Sequence, residues 1–139
     1  MTEASYIIRW YRRNDSGVAW TIRGINHNGA FYGEWLNYKD PRGGTIVGQL
    51  GECDNNHLQK LLASLQSLID ATATPNDTYS PDFIGPLAGP FAGAIARGKY
   101  SNPDILLRYK IGDEAISPAF ALFVEIAQFL DPIMDAYIS

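Results

Sequence analysis

The sequence contains few of the residues from which disulfides, metal centres and membrane spans are built. It has one cysteine and two histidines in 139 residues, which excludes an internal disulfide and a multi-cysteine zinc site. No apolar run is long enough to span a bilayer, and the N-terminus lacks the basic and apolar regions of a secretory signal. Charged residues make up 19% and hydrophobic residues 46%, proportions that exclude a disordered chain. We therefore expect one cytoplasmic domain over residues 1–139, without membrane contact.

Negative charge predominates in the chain, but basic residues concentrate near its N-terminus. The formal net charge of −4 argues against binding to bulk nucleic acid or to an anionic membrane. Residues 1–42 carry six Lys or Arg and four Asp or Glu, a net charge of +2. Residues 43–139 carry five and eleven, a net charge of −6. Any positive surface is therefore expected within residues 1–42.

Alternation of apolar and polar side chains predicts a first pair of β-strands near the N-terminus. The sequence Asn14-Asp15-Ser16-Gly17 predicts the turn between them, because a type I turn closed by a left-handed glycine is a common hairpin loop. Such a loop has an odd number of residues, so it sets the apolar side chains of one strand opposite the apolar side chains of the other. The expected pairs are Ile8 with Ile22 and Trp10 with Trp20.

A second hairpin is predicted at Asn28-Gly29, which is a strong turn signal. A fourth strand, over residues 45–50, follows the turn sequence of residues 40–44. The four strands are thus expected to form an antiparallel meander. A two-residue loop at Asn28-Gly29 would pair Ile22 with Trp35, Arg23 with Glu34 and Ile25 with Tyr32.

These registers divide the side chains of the meander between two faces. We assign the apolar face to the core, and the opposite face, here called the outer face, mixes arginine, tyrosine and glutamate with apolar groups. The core face carries Ile8, Trp10, Val18, Trp20, Ile22, Phe31 and Trp35. The outer face carries Ile7, Arg9, Tyr11, Thr21, Arg23, Tyr32, Glu34 and Leu36.

Two helices are predicted from apolar residues at helical spacing. Asp54 is a suitable cap for the first helix. Ser117 is a suitable cap for the second, with Pro118 in its preferred first position, and that helix is expected to end near Ala136. The apolar face of the first helix consists of Leu58, Leu61, Leu62, Leu65, Leu68 and Ile69.

The order of these elements predicts the fold class. Residues 72–90 are rich in proline and glycine and are expected to form a loop. Two strands follow, over about 91–99 and 105–111. The resulting order, ββ-ββα-ββα, predicts an α+β fold in which two helices pack on an antiparallel sheet of about six strands.

The sequence also suggests an internal ββα repeat. A shift of 61 residues aligns Leu50-Gly51-Glu52 with Ile111-Gly112-Asp113 and matches the apolar positions of the two helices. Two interpretations remain open, since an ancestral duplication would produce this match and so would the helical period alone.

The outer face is the main candidate for function. Tyrosine and arginine are enriched at protein interfaces, so we expect a non-enzymatic protein-binding module, such as an inhibitor or immunity-like protein, an adaptor or a small chaperone. Three alternatives are a half-solvated face without function, a face covered by the second helix, and a single-stranded nucleic-acid site at the first hairpin. The candidate partner-binding residues are Arg9, Tyr11, Arg13, Arg23, Tyr32 and Glu34.

An alternative site lies at the start of the first helix, where Cys53, Asp54 and His57 come together in sequence. A thiolate there would gain from the helix dipole, so a small-ligand site, a metal site or a minor enzyme remains an alternative. A metal needs three or four ligands, and a Cys–His hydrolase needs oxyanion donors that no motif supplies. The glycine-rich stretch 85–93 lacks phosphate-binding motifs, so no cofactor is expected.

The second helix, over 118–136, is apolar around most of its circumference. Such a helix must be buried on two sides. We therefore expect it either to lie between the sheet and the 72–90 loop or to form a homodimer contact.

Overall fold

The structure, a computed structural model, describes residues 5–11, 17–37, 39–40, 42–72, 91–99, 102–110 and 118–138. These ranges contain one six-stranded antiparallel sheet and two helices, so the predicted α+β class is confirmed. The strands are β1 (Tyr6–Tyr11), β2 (Val18–Ile25), β3 (Ala30–Asn37), β4 (Arg42–Gln49), β5 (Phe91–Lys99) and β6 (Asn102–Lys110). The helices are α1 (Glu52–Thr72) and α2 (Pro118–Asp135).

Two strands begin earlier than their sequence patterns predict. β4 begins at Arg42, because the glycines at 43 and 44 pair with β3 instead of forming a turn. β6 begins at Asn102, which pairs with Lys99 at the end of β5. The first turn over 14–16, the predicted loop over 73–90 and the Ser117 cap lie outside the described residues.

The strands are arranged in the order β4-β3-β2-β1-β5-β6, with every neighbour antiparallel. β5 pairs with β1, so the first strand lies inside the sheet and β4 and β6 form its two edges. Side chains from both helices join one hydrophobic cluster with the core face of the sheet. Both helices therefore cover the same face.

The register of the first hairpin is confirmed. Ile8 lies opposite Ile22, and Trp10 lies opposite Trp20. Gly17 has a φ of 72°, the left-handed conformation that the odd-length loop requires. Trp20 is 1% exposed, as expected of a residue on the core face.

The predicted register of the second hairpin is wrong. Gly29 has a φ of 88°, and Asn26 donates its backbone N–H to the carbonyl of Ala30 at 3.2 Å, which encloses a three-residue loop. A β-bulge between Ile22 and Gly24 takes up one further residue. Ile25 thereby lies on the core face, where it is 1% exposed, whereas the predicted loop would have put it across from Tyr32. The observed pairs are Ile22 with Gly33, Thr21 with Glu34 and Ile25 with Phe31.

Helix α2 covers Trp10 and Trp20 on the core face. The indole Nε1 of Trp20 donates a hydrogen bond to Oδ1 of Asp131 at 2.8 Å. Trp10 stacks on Tyr109 with ring centroids 5.9 Å apart, and Phe123 of α2 contacts both rings. Asp131 therefore joins the helix to the centre of the sheet.

Helix α1 covers the end of the sheet that contains the β2–β3 turn. Its buried residues are leucines of the predicted apolar face. Asn55 donates its side-chain N–H to the carbonyl of His27 at 3.0 Å. The helix begins at Glu52, and the N–H of Asn55 already donates to Gly51 at 2.8 Å. Asp54 therefore lies within the first turn and is not the cap, because the helical hydrogen bonds start three residues earlier.

The apolar flanks of α2 pack within this molecule. Leu122, Val124, Phe129 and Ile133 are partly buried against the core cluster, which explains much of the apolar circumference without a second chain.

α1 begins at Glu52 and α2 at Pro118, a separation that differs from the 61-residue shift, so the internal repeat stays a prediction. Among the described residues, no helix is long and apolar enough to cross a membrane.

Glycine at position 48 allows two aromatic rings to lie against β4. A Cβ added at Gly48 would lie 2.5 Å from Cζ of Phe31 and 2.5 Å from the hydroxyl of Tyr137. Phe31 is 3% exposed, so its ring has little room to move. The Gly48→Ala variant should therefore lose about 1–3 kcal/mol in free energy of unfolding, measured by urea denaturation. At Gly51 an added Cβ meets nothing within 4 Å, and an equal loss in Gly51→Ala would contradict the explanation.

The bond between α2 and the buried indole can be tested by a double-mutant cycle. Asp131→Ala leaves the Nε1–H of Trp20 without its partner, so it should lower the free energy of unfolding by about 1–3 kcal/mol. The control Glu125→Ala, at an exposed position of α2, should change it by about 0.5 kcal/mol or less. In a Trp20→Phe background, Asp131→Ala should cost much less. An equal cost in both backgrounds would exclude this role for the bond.

Candidate functional site

The outer face carries a row of side chains in register across the whole sheet. Neighbouring strands lie about 4.8 Å apart, so residues two strands apart in the row are separated by roughly 10 Å. Arg9 and Arg108 have this relation, with Ala94 between them, and both arginines are half-buried. From β4 to β6 the row consists of Thr45, Glu34, Thr21, Arg9, Ala94 and Arg108.

A cavity of about 490 Å³ lies on the outer face over β1 to β4. Its lining includes Trp35 and Gly44, whose side chains belong to the core face. The long outer-face side chains of the lining are Arg9, Glu34 and Leu36, and the remaining outer-face lining is small. A depression of small residues beside long polar ones can accept a side chain from a partner. The small outer-face residues are Ala19, Thr21, Gly43 and Thr45.

Arg23 and Glu34 form an ion pair beside this cavity. Nη2 of Arg23 lies 2.7 Å from Oε1 of Glu34, and Nε donates to the same oxygen at 3.2 Å. The two side chains are 39% and 45% exposed, so the pair contributes at most about 1 kcal/mol to stability. Its main effect is to hold the guanidinium over the sheet. The bulge at Ile22–Gly24 allows the diagonal contact, although Thr21 is the residue directly opposite Glu34.

The charge of this region differs in sign from that of the chain. The arginines at 9, 23 and 108 and the one carboxylate of Glu34 give the described charged side chains of the sheet's outer face a net charge of +2, whereas the whole chain carries −4. A local field of this kind attracts carboxylates even when the net charge is negative. The outer face is therefore electrostatically suited to an acidic surface.

Exposed apolar side chains lie on the same face. Tyr32, Leu36 and Val47 are 54%, 53% and 75% exposed, and they are three of the four large hydrophobic side chains exposed in the described part of the chain. Tyr32 and Val47 are directly opposite each other on β3 and β4. We call these three residues the apolar patch. Apolar surface next to polar residues is typical of interaction sites.

Several residues in the other half of the outer face are buried. Ile7 is 0% exposed and forms a small buried cluster with Ala94 and Ala96 of β5. Thr21 is 7% exposed. The accessible part of the face is therefore the β3–β4 half with the arginines at its margin, a smaller surface than the sequence pattern alone indicated.

Four of the six predicted partner-binding residues are brought together. Arg9, Arg23, Tyr32 and Glu34 share the outer face of three neighbouring strands. The backbone of Tyr11 ends β1 opposite Ala19, and Arg13 lies outside the described residues. Arg108 lies in the same row and was not among the predicted residues. Its alternation with Leu107 and Tyr109 indicates the face, but only the β1–β5 pairing places it near Arg9.

The alternative site at the start of α1 has an open geometry. Cys53 and His57 are exposed, and their spacing puts them on one side of the helix. The ring of His57 lies 4.7 Å from that of Phe129, edge to face. Within the described ranges, no group of three or more His, Cys, Asp or Glu could hold a metal ion. A small-ligand site at Cys53, Asp54 and His57 stays a prediction.

Comparisons with protein-family models, with curated proteins and with solved structures found no match. The function must therefore be inferred from this chain's own residues. Arginines, a cavity and exposed apolar side chains meet on the outer face, so that face is the best-supported site.

Proposed function

We propose that this chain is a non-enzymatic protein that binds another protein through the β3–β4 half of its outer face. The observation that supports the proposal is the position of the apolar patch (Tyr32, Leu36 and Val47) beside the arginines of the same face. Exposed apolar side chains interspersed with arginine and tyrosine are typical of protein interfaces. An inhibitor or immunity-like protein, an adaptor and a small chaperone all work in this way.

The charges of the outer face favour a partner with acidic side chains. Guanidinium groups form bidentate hydrogen bonds with carboxylates, and Arg9 and Arg108 are about two strand spacings apart. A partner segment with acidic side chains around an apolar one would match them and the apolar patch. Complementary charge of this kind mainly speeds association and excludes wrong partners, while the apolar contact supplies affinity.

The sheet suits this role because its backbone is already ordered. Hydrogen-bonded neighbours flank β3 on both sides, so the patch is held by a regular ladder. Pre-organised surfaces lose little conformational entropy on binding. We therefore expect this face to have the same backbone with and without its partner, and to differ mainly in side-chain rotamers.

Charge reversal combined with loss of the exposed phenol tests the proposal. The chain is immobilised, partners are captured from an extract of its own cells with cross-linking, and the captured protein is identified and titrated by calorimetry. Arg9→Glu with Tyr32→Ala should weaken binding by about 30-fold or more, the loss typical of interface hot spots. The control Lys60→Glu makes the same charge change on exposed α1 and should bind as the parent chain does.

Thermal melting of each variant distinguishes lost binding from lost folding. Equal affinity of the double variant and the Lys60→Glu control for the captured protein would rule out the outer face as the binding surface. Unchanged melting with the expected loss would support it.

Single-stranded nucleic acid is a second candidate, favoured by Arg9, Arg108 and the exposed Tyr32 on one sheet face. Bases stack on tyrosine, and arginines pair with phosphates. Fluorescence anisotropy with a labelled single-stranded oligonucleotide separates the candidates. Binding that falls steeply between about 50 and 200 mM salt, and that Arg9→Glu abolishes, would favour nucleic acid over protein.

A further inference from the structure

The two edges of the sheet differ in how they are protected. An edge strand presents unpaired backbone N–H and C=O groups, and proteins commonly block it with proline, charged residues or bulges. β6 has all three: its sequence contains Pro103, Asp104, Arg108 and Lys110, and its pairing with β5 is irregular at two places. β6 therefore resists pairing with another strand.

β4 lacks such protection over residues 43–49. This segment, Gly-Gly-Thr-Ile-Val-Gly-Gln, contains no charge and no proline. It pairs with β3 without a register shift along its whole length. Thr45, Val47 and Gln49 are exposed, so the strand is regular, accessible and open to pairing.

We propose that β4 pairs antiparallel with β4 of a second copy of this chain and joins the two sheets into one. An interface of this kind is isologous, because a two-fold axis relates the two strands. Pairing over the whole uncharged segment places the axis at Ile46. Val47 then lies opposite Thr45 of the second copy on the outer face, and two β-branched side chains in that position favour pairing.

The charges at the two ends of β4 select a second copy in this orientation. Lys39, Asp40 and Arg42 at its start sum to +1, and Glu52 and Asp54 beyond its end sum to −2. All five are exposed. Antiparallel pairing brings the basic end of each copy to the acidic end of the other, whereas parallel pairing would bring like charges together.

The surface ion pair between Arg42 and Asp40 is weak. Arg42 lies 3.0 Å from Asp40 in the single copy, with side chains 56% and 68% exposed, and surface pairs of this kind contribute at most about 1 kcal/mol. In the register centred on Ile46, Arg42 lies opposite Leu50 of the second copy, two residues from Glu52. Glu52 begins α1 of the second copy just beyond that position, which brings its carboxylate toward the guanidinium.

The proposal goes beyond the proposed function and is independent of it. A two-fold axis perpendicular to the sheet keeps both outer faces on the same side, so the two apolar patches would adjoin across the junction. The dimer would then present two equivalent partner-binding surfaces. Multivalent partners would bind such a surface with increased avidity.

Sedimentation equilibrium of the purified chain over a range of concentrations tests the dimer without any partner. The parent chain should dimerise. Val47→Lys places a charge on the open edge at a side chain that is 75% exposed, and it should raise the dimer dissociation constant at least about tenfold. The control Gln128→Lys adds the same charge at an exposed position of α2 and should leave it within about twofold.

A charge swap tests the orientation and does not depend on how Val47→Lys folds. Arg42→Glu should weaken the dimer. Adding Glu52→Arg should restore it, because residue 42 of each copy then again lies near an opposite charge at residue 52 of the other. A chain that is monomeric at every concentration would overturn the proposal. A dimer that Val47→Lys leaves intact would also overturn it. So would an open-ended polymer, because pairing through one unblocked edge per copy stops at two copies. Circular dichroism melting confirms that each variant is folded.

Discussion

The tryptophans at positions 10, 20 and 35 lie in register on three neighbouring strands, and their burial determines which side of the sheet meets the helices. Side chains alternate along a strand, so a one-residue slip would exchange the two faces completely. With the tryptophans in the core, Arg9, Thr21 and Glu34 must lie on the opposite side. The bond from Trp20 to Asp131 connects this row to α2. Core packing thus sets the position of every charged group on the outer face.

The fold separates two tasks between the two sides of one sheet. The core face provides stability by burying aromatic rings against both helices, and burial of this kind is the main favourable contribution to folding. The outer face contributes little to stability, as the half-exposed pair of Arg23 and Glu34 illustrates. Its side chains can therefore change without loss of the fold. That independence suits a recognition surface, because affinity and specificity can vary while the scaffold stays the same.

Local chemistry predicted the parts of the structure that depend on neighbouring residues. Gly17 and the alternation around it correctly predicted the first hairpin register, and the leucine spacing predicted the buried side of α1. The bulge at Ile22–Gly24 has only a weak sequence signal, the isolated Gly24 within a strand, and it brings Ile25 inside opposite Phe31. The position of Arg108 beside Arg9 depends on β5 pairing with β1, a contact between segments far apart in the chain. The partner of the Trp20 indole could not be predicted for the same reason.

Thiol labelling of single cysteines measures most directly which side of the sheet meets solvent. In a Cys53→Ser background, Leu36→Cys reports on the outer face and Ile22→Cys on the core face, where the parent side chains are 53% and 1% exposed. The tryptophan register predicts that the thiol at 36 reacts about as fast as in the unfolded chain. The thiol at 22 should react at least about 1000-fold more slowly, since it requires opening of the core. Rapid labelling at 22 with protection at 36 would show that the two faces are reversed.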